Sequence, residues 1–275
     1  MTSDAVEVGA LAGLAERAAR AAGDLVRQRP ASVTVAATKS SPTDVVTEMD
    51  TAAEARLTEV LLGERPDDGL LGEESGLRAG SSGVTWVVDP IDGTVNYLYG
   101  IPAYAVSVAA VTGDPDPARW RQLAACVHNP VTGETWTAAL GQGAALDGAP
   151  VRVTQGVRLD RALVGTGFGY TVERRREQAR VVADLLPRIR DVRRAGAASL
   201  DLCSVACGRL DAYYEQGLRP WDLAAGGLVA AEAGALVTGT DGRPAGEAMV
   251  VAGSPPLARA LVAELERLGA GRVTR

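Results

Sequence analysis

The chain gathers acidic residues in two short stretches, Gly72-Glu73-Glu74-Ser75 and Trp86-Val87-Val88-Asp89-Pro90-Ile91-Asp92-Gly93-Thr94. Each stretch follows an apolar run, Leu70-Leu71 in one case and Val84 to Val88 in the other, that reads as a buried strand. Glu73, Asp89 and Asp92 are therefore expected at strand ends, where a rigid sheet can hold them. Carboxylates crowded in this way repel one another and resist ionising together, so the usual reason to collect them is a hard divalent cation that takes oxygen ligands. The Asp92-Gly93-Thr94 step adds an anion-binding half. Gly93 lacks a β-carbon, so backbone N–H groups can approach a ligand closely, and a helix or turn starting there directs partial positive charge at a phosphate. An Asp-Gly pair alone is equally an ordinary turn; the three acids beside it favour a metal and phosphate site.

Further motifs follow in order along the chain. Trp221-Asp222-Leu223-Ala224-Ala225-Gly226 precedes Glu232-Ala233-Gly234, and Gly196-Ala197-Ala198 precedes the segment Asp211 to Glu215. Upstream stand Lys39 to Asp44 and Val46-Thr47-Glu48-Met49-Asp50. With GEES and WVVDPIDGTVN between them, this series resembles the inositol monophosphatases, a family of magnesium-dependent, lithium-sensitive phosphomonoesterases, over nearly the whole chain.

The resemblance implies two to three magnesium ions. Glu73, Asp89 and the Ile91 carbonyl would hold the first, and Asp89, Asp92 and Asp222 the second, with room for a third near Glu73. A water would be the nucleophile, positioned by Thr94 with Asp50 accepting from Thr94; Glu73 is the competing candidate for base, and the choice stays open. The N–H groups of Gly93 and Thr94 would contact phosphate oxygens, among Glu73, Ile91, Asp92 and Asp222. Gly196, Ala197, Ala198 and Glu215 would face the alcohol. The implied substrate is inositol 1-phosphate, although the same scaffold serves histidinol phosphate, fructose 1,6-bisphosphate and adenosine bisphosphates. Thr94-Val95-Asn96 sits nearer the inositol branch, whereas Tyr97-Leu98-Tyr99-Gly100 departs from the family's usual loop. A non-catalytic scaffold would be signalled by loss of a metal carboxylate, and Glu73, Asp89, Asp92 and Asp222 are all present. A homodimer is implied as well.

Composition accords with these expectations. A chain of 275 residues, 47% hydrophobic, can bury a sizeable core, and with one Phe that core must be filled by Ala, Val and Leu. A net charge of −6 argues against nucleic acid as the main partner. No apolar stretch approaches membrane-spanning length and no basic-then-apolar leader is visible, so cytoplasm is the expected compartment. Cys126, Cys203 and Cys207 form no CxxC pair and read as small buried hydrophobes. His128 is the only histidine, so carboxylates and metal must do what histidines do elsewhere. Arg174-Arg175-Arg176, next to Glu173 and Glu177, reads as a solvated helix face. Gly165 to Gly169 begins like a dinucleotide fingerprint but lacks its spacing, and reads as a loop.

The elements that must position these residues follow from periodicity. Val8, Leu11, Ala15, Ala18, Ala22 and Leu25 fall at helical spacing, with Asp4 and Glu7 as a plausible cap. A second helix is expected over 46–62, stopping at Gly63. Strands are expected at Leu70, 84–88, 105–111, 123–127 and 135–139, on a largely antiparallel sheet. Beyond 141–150 strands alternate with helices: strands over 162–165, near Val192, over 211–214, at Leu236 and over 249–252, helices over 171–189, 200–207, 221–233 and 256–268. These divide into an N-terminal α+β subdomain over 1–145, carrying the GEES and DPIDGT motifs, and a C-terminal α/β subdomain over 146–275, carrying the Trp-Asp motif. The resemblance implies a layered α-β-α-β-α sandwich with the site between the two.

Overall fold

The computed structural model describes residues 3–28, 35–38 and 45–271. Among them run two main sheets. The first has eight strands in the spatial order Ala149–Pro150, Gly143–Leu146, Thr135–Ala139, Arg121–His128, Ala105–Thr112, Val84–Asp92, Gly69–Gly72 and Gly76–Arg78. Every pairing in it is antiparallel except Gly69–Gly72 on Val84–Asp92, which is parallel. The second sheet runs Asp191–Arg193, Leu163–Thr166, Ala212–Glu215, Val250–Gly253, Leu236–Thr238. Its first three strands are parallel, as strand–helix alternation predicts, but Val250–Gly253 runs antiparallel to both neighbours.

Helices sort onto these sheets by their apolar faces. Ser3–Val26 and Glu48–Glu64 bury Leu11, Leu14, Ala18, Leu57 and Leu61 against Trp86, Val88, Val106 and Val108. Side chains alternate along a strand, so Val87 and Ala109 face the other way. There they meet Leu202 and Val205 of the helix Ala198–Ala206 and Leu223, Leu228 and Val229 of Pro220–Glu232. Val172–Leu185 and Pro255–Arg267 close the far side, with Val181, Leu185, Leu257 and Leu261 on Val164, Tyr214 and Val251. The result is the expected α-β-α-β-α order of layers. Small side chains allow this close stacking: a Cβ at Gly23 would stand 2.5 Å from the His128 ring, whose Nδ1 lies 2.8 Å from Thr135 Oγ1.

Three departures from the periodicity reading have local causes. The second helix begins at Glu48, after the strand Val45–Thr47, because a capping box between Thr47 and Asp50 fixes its start. It runs through the exposed Gly63 to Glu64, whose carboxylate meets Arg17. The strand expected to stop at Val88 continues to Asp92, so Asp89 lies inside it. The helix expected over 171–189 is Val172–Leu185 with Thr171 as N-cap, followed by the 3-10 turn Leu186–Arg188. The segment Lys39 to Asp44 and the Asp4 side chain lie outside the described residues. No helix among the described residues is long and apolar enough to cross a membrane.

Candidate metal and phosphate site

The site begins with a defect in a strand. Between Asp89 and Asp92 the pairing with the strand Ala105–Thr112 slips: Asp89 stands opposite Ser107 and Asp92 opposite Ala105. Three steps on one strand match two on the other, which is a β-bulge at Pro90-Ile91, and proline suits it because it has no N–H to donate. In a regular strand residues three apart point to opposite faces. The bulge restores Asp92 to the face of Asp89, and a carboxylate oxygen from each lies within 4.8 Å of the other and of one from Asp222. Asp222 arrives on the first turn of Pro220–Glu232, where its Oδ2 accepts from Arg219 N at 2.7 Å.

Asp92 is also a splint between the halves of the chain. Its Oδ1 accepts from Ala198 N at 3.2 Å and its Oδ2 from Ser199 N at 2.7 Å, so it caps the helix Ala198–Ala206 from outside. Ser199 Oγ donates to the same oxygen. Asp89 Oδ1 accepts from Ile91 N at 3.0 Å, and Glu73, outside the three-acid cluster, adjoins Asp89.

Burial and mutual repulsion push these acids up. Asp89 is held well above the usual carboxylate range by desolvation, then by Glu73, Asp92 and Asp222. Asp222 is raised likewise by burial, Asp92 and Glu73. Asp92 is raised by burial, against the opposing pull of its Ser199 and Ala198 hydrogen bonds and Arg194. An all-oxygen donor set that cannot ionise together without compensation fits a hard divalent cation.

Beside the acids, Gly93 adopts φ +95°, which lets the helix Thr94–Tyr99 start at once. A side chain there would meet Ala103 O at 3.0 Å and Gly196 O at 3.1 Å. The Thr94 hydroxyl lies 3.1 Å from Asp50 Oδ1 and 3.0 Å from Ile91 O. Asp50 is itself buried, its Oδ2 accepting from Thr47 N at 2.8 Å. Of the two tyrosines in the segment that departs from the family's usual loop, Tyr97 is fully buried, edge-on to Tyr104 at 5.3 Å, whereas Tyr99 is exposed.

These groups line a cleft of about 610 Å³. Its acidic end carries Glu73, Asp89, Ile91, Asp92, Gly93, Thr94 and Asp222; across from them stand Gly196, Ala198 and Glu215. Ala197 does not reach the cleft, contrary to the expectation for the Gly-Ala-Ala segment. It is the N-cap of Ala198–Ala206, and its methyl sits in the core between the sheets. Glu215 accepts from Tyr213 Oη at 2.5 Å and is pushed up to about 7, chiefly by burial. Behind it the buried Asp201 is pushed up to about 8 by burial, then by Glu215 and Asp92.

Several lining residues were not legible beforehand. The glycine-rich loop after Leu163–Thr166 supplies Gly167, Phe168 and Gly169, and the first arginine of the triple-arginine run, Arg174, turns into the cleft past Gly169 and Gly217. The two glycines leave that passage open: a Cβ on Gly169 would stand 2.5 Å from Arg174 Cδ and one on Gly217 2.4 Å from its Nη1. Arg194 is folded over Gly196 in the same way. A run of like charges carries no signal for which member turns inward. Trp86 is buried on the helix-covered face of the same strand, its Nε1 donating to Asp68 at 2.9 Å.

A model of the inositol monophosphatase family matches residues 9–270. The chain is 46% identical to the inositol-1-monophosphatase SuhB of Mycobacterium tuberculosis, across 97% of each chain. It is 36% identical to a Vibrio cholerae protein named Nus factor SuhB, covering 93% of this chain and 96% of that one. The solved structure of Mycobacterium tuberculosis SuhB superposes with a TM-score of 0.79 at 42% identity, covering 96% of this chain and 98% of that one.

Proposed function

Because the chain belongs to the inositol monophosphatase family, we propose that this phosphatase hydrolyses inositol 1-phosphate to inositol and phosphate with magnesium in the acidic cleft. The observation that carries the reading is the convergence of Asp89, Asp92 and Asp222 within 4.8 Å, beside a threonine held by a buried aspartate. Glu73, Asp89 and the Ile91 carbonyl would hold one ion in this reading, and Asp89, Asp92 and Asp222 another. When bound, the ions neutralise phosphate charge and lower the pKa of a water that attacks in line.

The chain's own residues do the rest. Asp50 accepts a hydrogen bond from the Thr94 hydroxyl, which leaves the Thr94 oxygen free to accept from the attacking water and so turn the water's lone pair to phosphorus. As the new oxygen–phosphorus bond forms and the ester bond breaks, the water's proton would pass through Thr94 to Asp50 or directly to Glu73, and the departing alkoxide takes a proton from solvent. The N–H groups of the first turn of Thr94–Tyr99, unused inside a helix, donate to phosphate oxygens. Glu215 accepts from ring hydroxyls, and Gly196 and Ala198 leave space for the ring.

Phosphate release from inositol 1-phosphate, histidinol phosphate, fructose 1,6-bisphosphate and adenosine 3′,5′-bisphosphate, each with and without magnesium, tests the reading. The expected outcome is magnesium-dependent turnover with the highest kcat/KM on inositol 1-phosphate. A role like the one for which the Vibrio cholerae relative is named is the second reading; absence of turnover on all four esters would favour it. We also propose a homodimer, as is usual for the family, which sedimentation checks.

A further inference from the structure

Glu73 sits in an awkward place for a metal ligand. The strands Gly69–Gly72 and Gly76–Arg78 pair antiparallel with Gly72 opposite Gly76, so residues 73–75 are the tip of a three-residue hairpin. Hairpin tips are where backbone mobility concentrates. A carboxylate that must hold its position cannot be left there without an anchor.

The anchor is Glu54, one turn beyond Asp50 on the helix Glu48–Glu64. Its carboxylate is buried, with Oε2 accepting from Glu74 N at 2.9 Å and Oε1 accepting from Ser75 N at 2.7 Å. Gly72 leaves it room: a Cβ there would stand 2.5 Å from the Glu54 carboxyl carbon. The backbone on the strand side of Glu73 is fixed as well, Glu73 N donating to Val88 O at 3.3 Å. Residues four apart share a helix face, so one face presents Asp50 to Thr94 and Glu54 to the Glu73 turn.

We propose that Glu54 is a positioning residue for the metal site, acting through the backbone of Glu74 and Ser75 to hold the Glu73 carboxylate against Asp89, and that the helix Glu48–Glu64 thereby aligns Glu73 and Thr94 to a single rigid element. This rests on the reading of Glu73 as a magnesium ligand. Groups that orient a ligand typically change metal affinity or activity 10- to 100-fold when altered.

The test is Glu54→Gln, nearly isosteric but with one acceptor oxygen, so that one of the two N–H groups faces an amide NH2. Magnesium titration calorimetry on the purified protein is expected to show affinity at one site weakened about tenfold or more. In turnover, the magnesium concentration for half-maximal rate rises while KM for the ester at saturating magnesium stays unchanged. Amide exchange at Glu74 and Ser75 accelerates in the metal-free variant. An isotherm that superimposes on the wild type, with only the melting temperature lowered, would overturn the proposal and leave Glu54 a fold residue. Should Glu54→Gln not fold, Glu54→Asp keeps the charge and both acceptors but draws the turn toward the helix, and is expected to weaken magnesium in the same way; an unchanged isotherm there overturns the proposal equally. A wild type that binds no magnesium would fell the proposed function, and exchange at Glu74 and Ser75 then decides whether Glu54 holds the turn at all.

Discussion

The two walls of the cleft are built by opposite means. On the first sheet, Asp89, Asp92, Thr94 and Asp50 are fixed by a bulge, a helix start and a set of short hydrogen bonds to main chain and hydroxyls. On the second, the wall is glycines, a loop and long side chains: Gly167, Gly169, Gly196 and Gly217 with Arg174, Arg194 and Glu215. A wall made of mutually bonded acids tolerates little change, because each acid repels the next and is held by a specific partner. A wall made of glycine gaps filled by arginines can be refitted by single substitutions. The first wall has the means for chemistry that is common to phosphate esters, and the second for choosing among alcohols.

The sharpest way to break this contrast is Asp92→Asn. Loss of one preorganised electrostatic group costs about 3 kcal/mol of transition-state stabilisation, so kcat should fall by more than about a hundredfold on every ester alike. The amide would also turn its NH2 toward Ser199 or Ala198 N–H, lowering the melting temperature. Steady-state kinetics on two unrelated esters checks it; more than a tenth of wild-type kcat on either would remove Asp92 from the chemistry.

Asp89→Asn separates repulsion from ligation. In chelator the variant should melt above the wild type, because burial and three neighbouring acids make the native charge costly. In magnesium the order should invert, the wild type gaining about 2.7 kcal/mol at a hundredfold excess over Kd and the variant less. Scanning calorimetry under both conditions decides, and equal magnesium increments would mean Asp89 is no ligand.

On the opposite wall, Glu215→Gln should lower kcat/KM for inositol 1-phosphate by roughly 1 to 3 kcal/mol, the cost of unpairing a buried charged hydrogen bond. Glycerol 2-phosphate should lose much less. Equal losses on both esters would move Glu215 to the acidic wall and blur the distinction.

The most gradual effect is a slope. Asp201, held up to about 8 in the folded protein against an ordinary 3.8, binds a proton in the native state that the unfolded state has released. A raised carboxylate stabilises below its unfolded pKa and loses that stabilisation as pH climbs toward the folded value. Metal-free protein should therefore lose about 1.4 kcal/mol per pH unit from this group between pH 5 and 7, and Asp201→Asn should flatten the curve by that amount. Urea titrations at three pH values measure it; an unaltered slope would mean Asp201 is ionised throughout.

The acidic wall was far more legible in the sequence than its counterpart, for a physical reason. Glu73, Asp89, Asp92 and Thr94 fall within 22 residues, and their spacing against apolar runs announces the strands that carry them. The bulge at Pro90-Ile91 is not visible there, since period-2 alternation has no symbol for an inserted residue, and the strand runs four residues beyond the Val88 at which the apolar run stops. Ser199 and Arg194 gave no signal because their role depends on Asp92, more than a hundred positions away. Ala197 is hard to place for a related reason: the segment turns at Gly196, φ +97°, so that Ala197 faces the core while its neighbour Ala198 lines the cleft. Glu54 was passed over although it lies one helical turn from Asp50, the spacing that puts both on one face.

The hydrogen bonds from Ala198 and Ser199 to Asp92 have a bearing on motion. They cross from one half of the chain to the other at the floor of the cleft, and Asn96 adds a second crossing through Ala195 O at 2.8 Å. A hinge between the halves would have to break buried, charge-assisted bonds on each turnover, which is slow work for an enzyme that releases a small product. Traffic into the cleft is thus left to its rim, where the exposed Tyr170 and Thr171 end the glycine loop ahead of the helix Val172–Leu185.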